Sequence, residues 1–213
     1  IRVMAQNRTF NPYKDAKPGE TSLNYTAPKY LGGGNGFPVG STFKAFVLTT
    51  FLSDGGSIWD SVGRGSNTFN NFPAKCLRHG KWREASGWRL KDAGQDIHGS
   101  MSVLDATKFS INTAYANIAL RTDLCSIAET SRALGAVPGN WNDSIPENKE
   151  KPVNDIFGAD LSPATQVIGE INIPMVNMAA AYAAFAAEGN YCKPQPVESV
   201  KDRNGKELPF TKS

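Results

Sequence analysis

The stretch Pro38-Val39-Gly40-Ser41-Thr42-Phe43-Lys44-Ala45-Phe46-Val47-Leu48 decides how this chain is read. From Phe43 apolar residues continue almost without a break to Phe51 and Leu52. No polar stripe recurs at helical spacing, so a helix here is apolar nearly all round and is expected to be buried. Gly40 and Ser41 suit its N-terminus, and Asp54-Gly55-Gly56 its end. Lys44 is the anomaly. A lysine amid so many apolar neighbours must snorkel to water or be held by partners. Ser41 lies three residues earlier, one turn up the same helical face. Burial disfavours the ammonium and pushes the amine's pKa down. A neutral amine beside a hydroxyl is a general base beside a nucleophile, and the free amide at a helix mouth can bond an oxyanion. The pattern points to covalent catalysis by Ser41 activated by Lys44. Ser-x-x-Lys arises by chance roughly once in a chain of this size, so a second polar pair is needed to separate a catalytic couple from a capped helix start.

With 213 residues, 40% of them hydrophobic and 20% charged, the chain has the composition of a globular protein with a sizeable core. A net charge of +3 is too small to make nucleic acid or an anionic membrane the main partner. No stretch is apolar enough to span a bilayer and no signal peptide is visible, which suggests either a cytosolic protein or a segment of a larger exported one. The three cysteines, Cys76, Cys125 and Cys192, form no C-x-x-C pair, so zinc and thioredoxin chemistry are not indicated. One disulfide with a leftover thiol and three buried thiols both remain open. His79 and His98 sit in polar, Gly- and Lys-rich surroundings and read as exposed loop residues.

Ile1-Arg2-Val3-Met4-Ala5 alternates like a half-buried strand and starts abruptly, as if an upstream portion precedes it. Asn7 to Lys29 reads as loop and contains Ser22-Leu23-Asn24. Leu31 to Phe37 is glycine-rich, but it lacks the ending of a P-loop and the spacing of a dinucleotide fingerprint. Close packing of backbone around the start of the Ser41 helix is the expectation there. Gly55 to Gly99 mixes Trp59, Trp82 and Trp88 with basic residues. The low net charge argues against single-stranded nucleic acid, and the segment reads as a surface excursion with its tryptophans pinned on the core.

From Ser102 the pattern becomes helical. Ser102-Val103-Leu104-Asp105 resembles a capping box with Asp in place of Glu. Ser110-Ile111-Asn112 then falls at the junction with a second apolar segment running from Ala114 to Arg121. There two polar side chains can face a shared cleft, or simply cap the second helix. Ser126 to Leu134 reads as a short amphipathic helix, Asn140 to Asn154 as loop, and Pro174 to Glu188 as a buried packing helix without chemistry. Asp202-Arg203-Asn204-Gly205 between two strand-like runs, Pro196 to Val200 and Lys206 to Leu208, signals a hairpin.

In this order the motifs resemble the transpeptidase domain of penicillin-binding proteins, most closely the bifunctional high-molecular-weight class (class A). Four stretches carry the resemblance: Asn7 to Asn11 with Lys17-Pro18-Gly19-Glu20; Gly36 to Lys44, with Ser-x-x-Lys; Ser110 to Tyr115, with Ser-x-Asn; and Pro174 to Pro194. Together they cover most of the chain except roughly Gly55 to Arg89. The motif set is specific although each member alone is weak. The resemblance implies an α/β fold of the β-lactamase type, an antiparallel sheet flanked by helices plus a mostly helical subdomain. It implies that Ser41 attacks a D-Ala-D-Ala stem peptide with Lys44 as base, that Ser110 relays a proton to the leaving amine, and that Asn112 binds the substrate amide. A neighbouring peptidoglycan stem peptide would then take the acyl group, and β-lactam antibiotics would acylate Ser41 and stay. No metal or organic cofactor is implied. The expected location is the extracytoplasmic face of the bacterial membrane, with an anchor and a glycosyltransferase domain upstream.

The family's third motif, Lys-Thr-Gly or Lys-Ser-Gly, is not present. Lys212-Ser213 lies too close to the hairpin to be its start, because the family places a helix between them. The sheet is therefore expected to be incomplete in residues 1–213, with a second polypeptide fragment completing the domain. Three rivals share the features. A carboxypeptidase or class A β-lactamase needs, in the latter case, a glutamate-held water, and Glu147 and Glu150 lie in a loop unlike that enzyme's. A β-lactam or muropeptide sensor, or a non-catalytic penicillin-binding module that keeps Ser41, would acylate without cross-linking. A plain interaction domain would use Ser41 and Lys44 only to start a helix.

Overall fold

The computed structural model describes residues 4–209 except 14, 16, 95, 96, 144, 159, 160 and 196. Five short strands come first: β1 Thr9–Phe10, β2 Glu20–Thr21, β3 Asn24–Pro28, β4 Gly33–Gly34 and β5 Phe37–Pro38. A 3-10 turn, Gly40–Phe43, leads into α1, Lys44–Ser53. Then come β6 Ser61–Arg64, β7 Asn67–Phe69, β8 Phe72–Pro73, β9 Lys81–Trp82, β10 Trp88–Leu90 and β11 Gly99–Ser102. Helices follow: α2 Val103–Lys108, α3 Asn112–Ala119, α4 Leu124–Ala133, α5 Pro146–Lys149, α6 Val153–Phe157 and α7 Pro163–Ile168. Strand β12, Asn172–Ile173, precedes the last helix, α8 Met175–Ala186. Every strand pairing among the described residues is two-stranded; four pairs are antiparallel and two, β1 with β2 and β3 with β4, are parallel. The fold is mixed α/β with small sheets around a helical core.

Helix α1 is the core's axis. Phe43, Phe46 and Val47 are fully buried and Phe51 nearly so. The helix packs on α3, α4 and α7. Its last turn departs from expectation: Leu52 is 40% exposed. Helix α4 starts two residues earlier than its apolar pattern indicates. Asp123 caps it, accepting from the amides of Cys125 and Ser126 at 2.9 and 3.2 Å. The capping-box reading of Ser102 holds: its Oγ accepts from Asp105 N at 3.0 Å.

The Gly55 to Gly99 excursion folds as antiparallel pairs β6–β11, β7–β10 and β8–β9. Trp82 and Trp88 lie against Phe72, with ring centroids 5.9 and 6.0 Å away. Trp59 is a correction, since it is 73% exposed and pins nothing. A disulfide between Cys76 and Cys125 ties the excursion to α4 and leaves Cys192 as an exposed thiol. Both histidines are exposed.

Asn140 to Asn154 is not simply loop. It holds α5, because Arg132 donates to the carbonyls of Asn148, Lys149 and Lys151 at 2.8, 2.9 and 2.7 Å and so completes the helix C-terminus. Helix α8 is only half buried. Met178, Ala181 and Ala184 face the core, whereas Met175, Tyr182 and Phe185 are exposed. A cavity of about 530 Å³ runs along it, lined in part by Val176, Ala179 and Ala183. At the chain's start Met4 and Ala5 are exposed and outside any strand, and Ile1 to Val3 lie outside the described residues. The hairpin at Asn204-Gly205 forms around one bridge, Lys201 with Glu207. Pro196 and Lys212-Ser213 lie outside the described residues. No helix among the described residues is long and apolar enough to cross a membrane.

Candidate active site

The turn that carries Ser41 is held by three hydrogen bonds. Val39 N donates to Ile171 O at 3.1 Å and Gly40 N to Gly169 O at 3.0 Å. Tyr182 of α8 donates its hydroxyl to Thr42 O at 2.8 Å, so a helix that reads as packing alone also anchors the site. The backbones approach so closely that a Cβ on Gly169, which has φ +74°, would run into the Gly40 carbonyl. In the glycine-rich lead, close packing holds at Gly33, where a Cβ would run into the Ala27 carbonyl, while Gly32 and Gly34 have open space. A Cβ on Gly36 would likewise meet the Ile173 carbonyl, across from the β5–β12 pair.

Lys44 is 4% exposed. Its side chain crosses to the junction of α2 and α3, where its Nζ meets four oxygens. Ser41 Oγ is 3.2 Å away, Ser110 Oγ 3.1 Å, Ser110 O 2.7 Å and Asn112 Oδ1 2.6 Å. The Tyr115 ring forms one wall, its centroid 5.2 Å from Nζ. Burial is the main influence on the amine and lowers its pKa from 10.5 to about 8; the charge of Asp92 acts in the opposite direction. Ser110 O and Asn112 Oδ1 can only accept, so two N–H groups are committed to them. The remaining tetrahedral position faces the two hydroxyls. In the ammonium it is a third N–H donating to one of them. In the neutral amine it is a lone pair that accepts a proton from one of them.

Ser110 sits in the left-handed region at φ +54°. Such a backbone costs a serine about 1–2 kcal/mol and clusters at functional sites. The conformation turns both its carbonyl and its hydroxyl toward Lys44. Ser110 N is bonded to Thr107 O at 3.1 Å and Ile111 N to Ala106 O at 3.0 Å, which closes α2 over the turn. Asn112 opens α3. Its Oδ1 serves Lys44 and its Nδ2 donates to Lys91 O at 3.2 Å.

The structure therefore brings Ser41, Lys44, Ser110 and Asn112 into one cluster, with Lys44 and Asn112 separated by 68 residues of sequence. Ser22-Leu23-Asn24 is a decoy, for Asn24 Oδ1 is spent on Thr26 N and Oγ1 at 3.1 and 2.6 Å. Glu147 and Glu150 are exposed. Sequence reading missed Asp92, Thr113, Tyr115 and Tyr182. No local signal marks them, since each acts across a fold-dependent gap. Among the described residues no group of three or more His, Cys, Asp or Glu side chains is placed to hold a metal ion.

A buried lysine shared between two serines and an asparagine is the arrangement of acyl-serine enzymes with Ser-x-x-Lys and Ser-x-Asn motifs. The penicillin binding protein transpeptidase domain matches residues 1–213, and the chain belongs to that family. Penicillin-binding protein 1A of Mycolicibacterium smegmatis is 26% identical over 178 residues, which make up 81% of this chain and 20% of that protein. Penicillin-binding protein 1A of Mycobacterium tuberculosis is 24% identical over 193 residues, again with 20% of its length covered. The chain thus spans about a fifth of the length of the curated relatives it matches. Among solved structures, the imipenem acyl-enzyme complex of penicillin-binding protein A from M. tuberculosis superposes with a TM-score of 0.63 at 19% identity, over 91% of this chain and 41% of that one. Penicillin-binding protein 1A of Haemophilus influenzae gives 0.63 at 17% identity, over 91% and 24%. These likenesses establish the fold.

Proposed function

We propose that this chain holds the acyl-transfer centre of a D,D-transpeptidase that cross-links peptidoglycan stem peptides, with Ser41 as nucleophile and Lys44 as its base. The observation that carries this reading is the Lys44 amine, buried, bonded to no carboxylate among the described residues, and within 3.2 Å of the Ser41 hydroxyl. In its neutral form the amine takes the Ser41 proton as Oγ attacks the carbonyl of the penultimate D-alanine. The bond from that carbonyl to the terminal D-alanine nitrogen breaks. Its leaving amine is protonated through Ser110, whose Oγ lies 3.1 Å from the same Nζ. A second stem peptide's amine then attacks the acyl-Ser41 ester and releases Ser41, the proton returning by the same route. Asn112 orients the substrate amide through one N–H of its Nδ2, the other donating to Lys91 O at 3.2 Å. A β-lactam would enter as an acylating mimic of D-Ala-D-Ala, as the acyl-enzyme complex of the M. tuberculosis protein illustrates for that relative. No cofactor enters the scheme.

The remaining wall of the site, the Lys-Thr-Gly strand implied by the family resemblance, is proposed to come from sequence beyond these residues or from a second polypeptide. The Cys76–Cys125 disulfide supports placement on the extracytoplasmic side of the membrane, where such bonds persist. Labelling of the intact protein with a fluorescent penicillin tests the reading. Label is expected on Ser41 and is expected to be lost in Ser41→Ala and reduced by two or more orders of magnitude in Lys44→Ala. Label retained in Ser41→Ala, or absent from the intact wild-type protein, would remove the reading.

A further inference from the structure

Asp92 lies in the loop after β10 and belongs to none of the motifs. Its two carboxylate oxygens both engage Thr113: Oδ1 accepts from the backbone amide at 2.9 Å and Oδ2 from the hydroxyl at 2.7 Å. Thr113 is fully buried, and its Oγ1 in turn accepts from Gly65 N at 2.8 Å. Helix α3 has no side-chain cap at Ile111, so its first-turn amides lack the usual local partner. Asp92 supplies one from 21 residues away. The residue before it completes the grip, because Lys91 O accepts from Asn112 Nδ2. That bond selects one orientation of the Asn112 amide. Turned over, the amide would set an NH2 group against the Lys44 amine, donor against donor.

We propose that Asp92 is a positioning residue for acyl transfer: it clamps the first turn of α3 so that Asn112 presents its amide oxygen to Lys44, and its bonds to Thr113 hold its carboxylate one residue from the Asn112 side chain that contacts that amine. The inference rests on the transpeptidase reading of the Ser41 centre and adds a residue to it. Among the described residues, two ionisable side chains bear on the amine. Asp92 comes from the loop after β10 and the Tyr115 phenol from α3, with Tyr182 of α8 acting in turn on Tyr115. Lys91, next to Asp92, is exposed. Burial holds Lys44 toward the neutral form and Asp92 draws it back toward the ammonium. The carboxylate therefore limits how far burial can take the amine, so the same residue governs both geometry and proton occupancy.

Two substitutions separate these roles. Asp92→Ala removes both bonds and the charge. Asp92→Asn keeps an acceptor for the Thr113 amide and the side-chain shape but removes the charge, and the Thr113 hydroxyl must turn to accept from the new NH2 group. In the intact protein carrying 13C-labelled lysine, the Lys44 resonance, assigned by its loss in Lys44→Met, is titrated alongside penicillin acylation from pH 6 to 10. In Asp92→Asn the Lys44 midpoint is expected to move to lower pH, by on the order of half a unit, and the acylation profile to move with it. In Asp92→Ala the acylation plateau is expected to fall about tenfold or more at all pH values, with most of that loss restored in Asp92→Asn. A mere helix cap would lower the melting temperature of both variants and leave the Lys44 midpoint in place. That result, or equal plateaus in the two variants, overturns the proposal. If the wild-type protein takes no penicillin at Ser41, the transpeptidase reading falls, while the lysine titration still decides whether Asp92 acts on Lys44. Should Asp92→Ala fail to fold, the titration of Asp92→Asn carries the decision alone.

Discussion

Acylation of Ser41 should follow the titration of Lys44. The perturbation is pH alone. With a pKa of about 8, the amine is neutral in about 10% of molecules at pH 7, half at pH 8 and over 90% above pH 9. The second-order rate constant for a penicillin should therefore climb about tenfold from pH 7 to a plateau near pH 9. An unshifted lysine would be neutral roughly 300-fold less often at pH 7, and its profile would still be rising at pH 10. Mass spectrometry of the intact protein, quenched at intervals after mixing with penicillin at constant ionic strength, measures the rate directly. The same shift has a sign in stability. The folded pKa lies below the unfolded one, so between about pH 8 and 10.5 the unfolded chain binds the extra proton and stability rises with pH. Below pH 8 the whole cost is present, about 3 kcal/mol. Urea midpoints should accordingly rise across that window in wild type relative to Lys44→Met, which keeps the opposing fall from the tyrosines whose pKa values burial raises. A rate profile flat from pH 7 to 9.5, or one still climbing at pH 10, would refute the assignment of Lys44 as a desolvated base.

Three further outcomes follow from the geometry. Ser110→Gly relieves a left-handed serine and should hold or raise stability, by up to about 1 kcal/mol, while slowing acylation about 100-fold through loss of the hydroxyl; thermal melting and penicillin labelling read the two effects separately. Replacing Cys76 and Cys125 with serine opens a loop with a sequence separation of 49 and should cost about 4 kcal/mol in chemical denaturation. A thiol assay on the unreduced native protein should find only Cys192 reactive.

The Ser41–Lys44 couple could be read from sequence because one turn of helix brings those positions together, and an apolar run around a lysine signals burial before any coordinates exist. Ser110 and Asn112 could be placed at a helix junction, but nothing local shows which way Ser110 turns its carbonyl. That depends on a left-handed backbone that only the closure of α2 against α3 imposes. Asp92 was invisible for the same reason, since its partner lies 21 residues on and is chosen by the β7–β10 pairing and the packing of α3. Boundaries moved where a side chain outvoted the periodicity. Asp123 started α4 early, and Arg132 made a helix out of a polar, proline-containing segment. The disulfide could not be chosen among three cysteines because pairing is a matter of distance, not spacing. Trp59 misled because an aromatic side chain carries no mark of which face it will find.

Three hydrogens on one nitrogen confront four oxygens, and that mismatch has a consequence of its own. Whatever its charge, the Lys44 nitrogen leaves one of the two hydroxyls unclaimed, so the bond can swing between Ser41 and Ser110 by a rotation of hydrogens, with every heavy atom at rest. Such slack makes the pocket tolerant of traffic in either direction, and it sets a limit on replacement. A flat guanidinium at position 44 has donors in a fixed fork and no lone pair to turn, so it would jam the very swivel that a longer cation might be supposed to preserve.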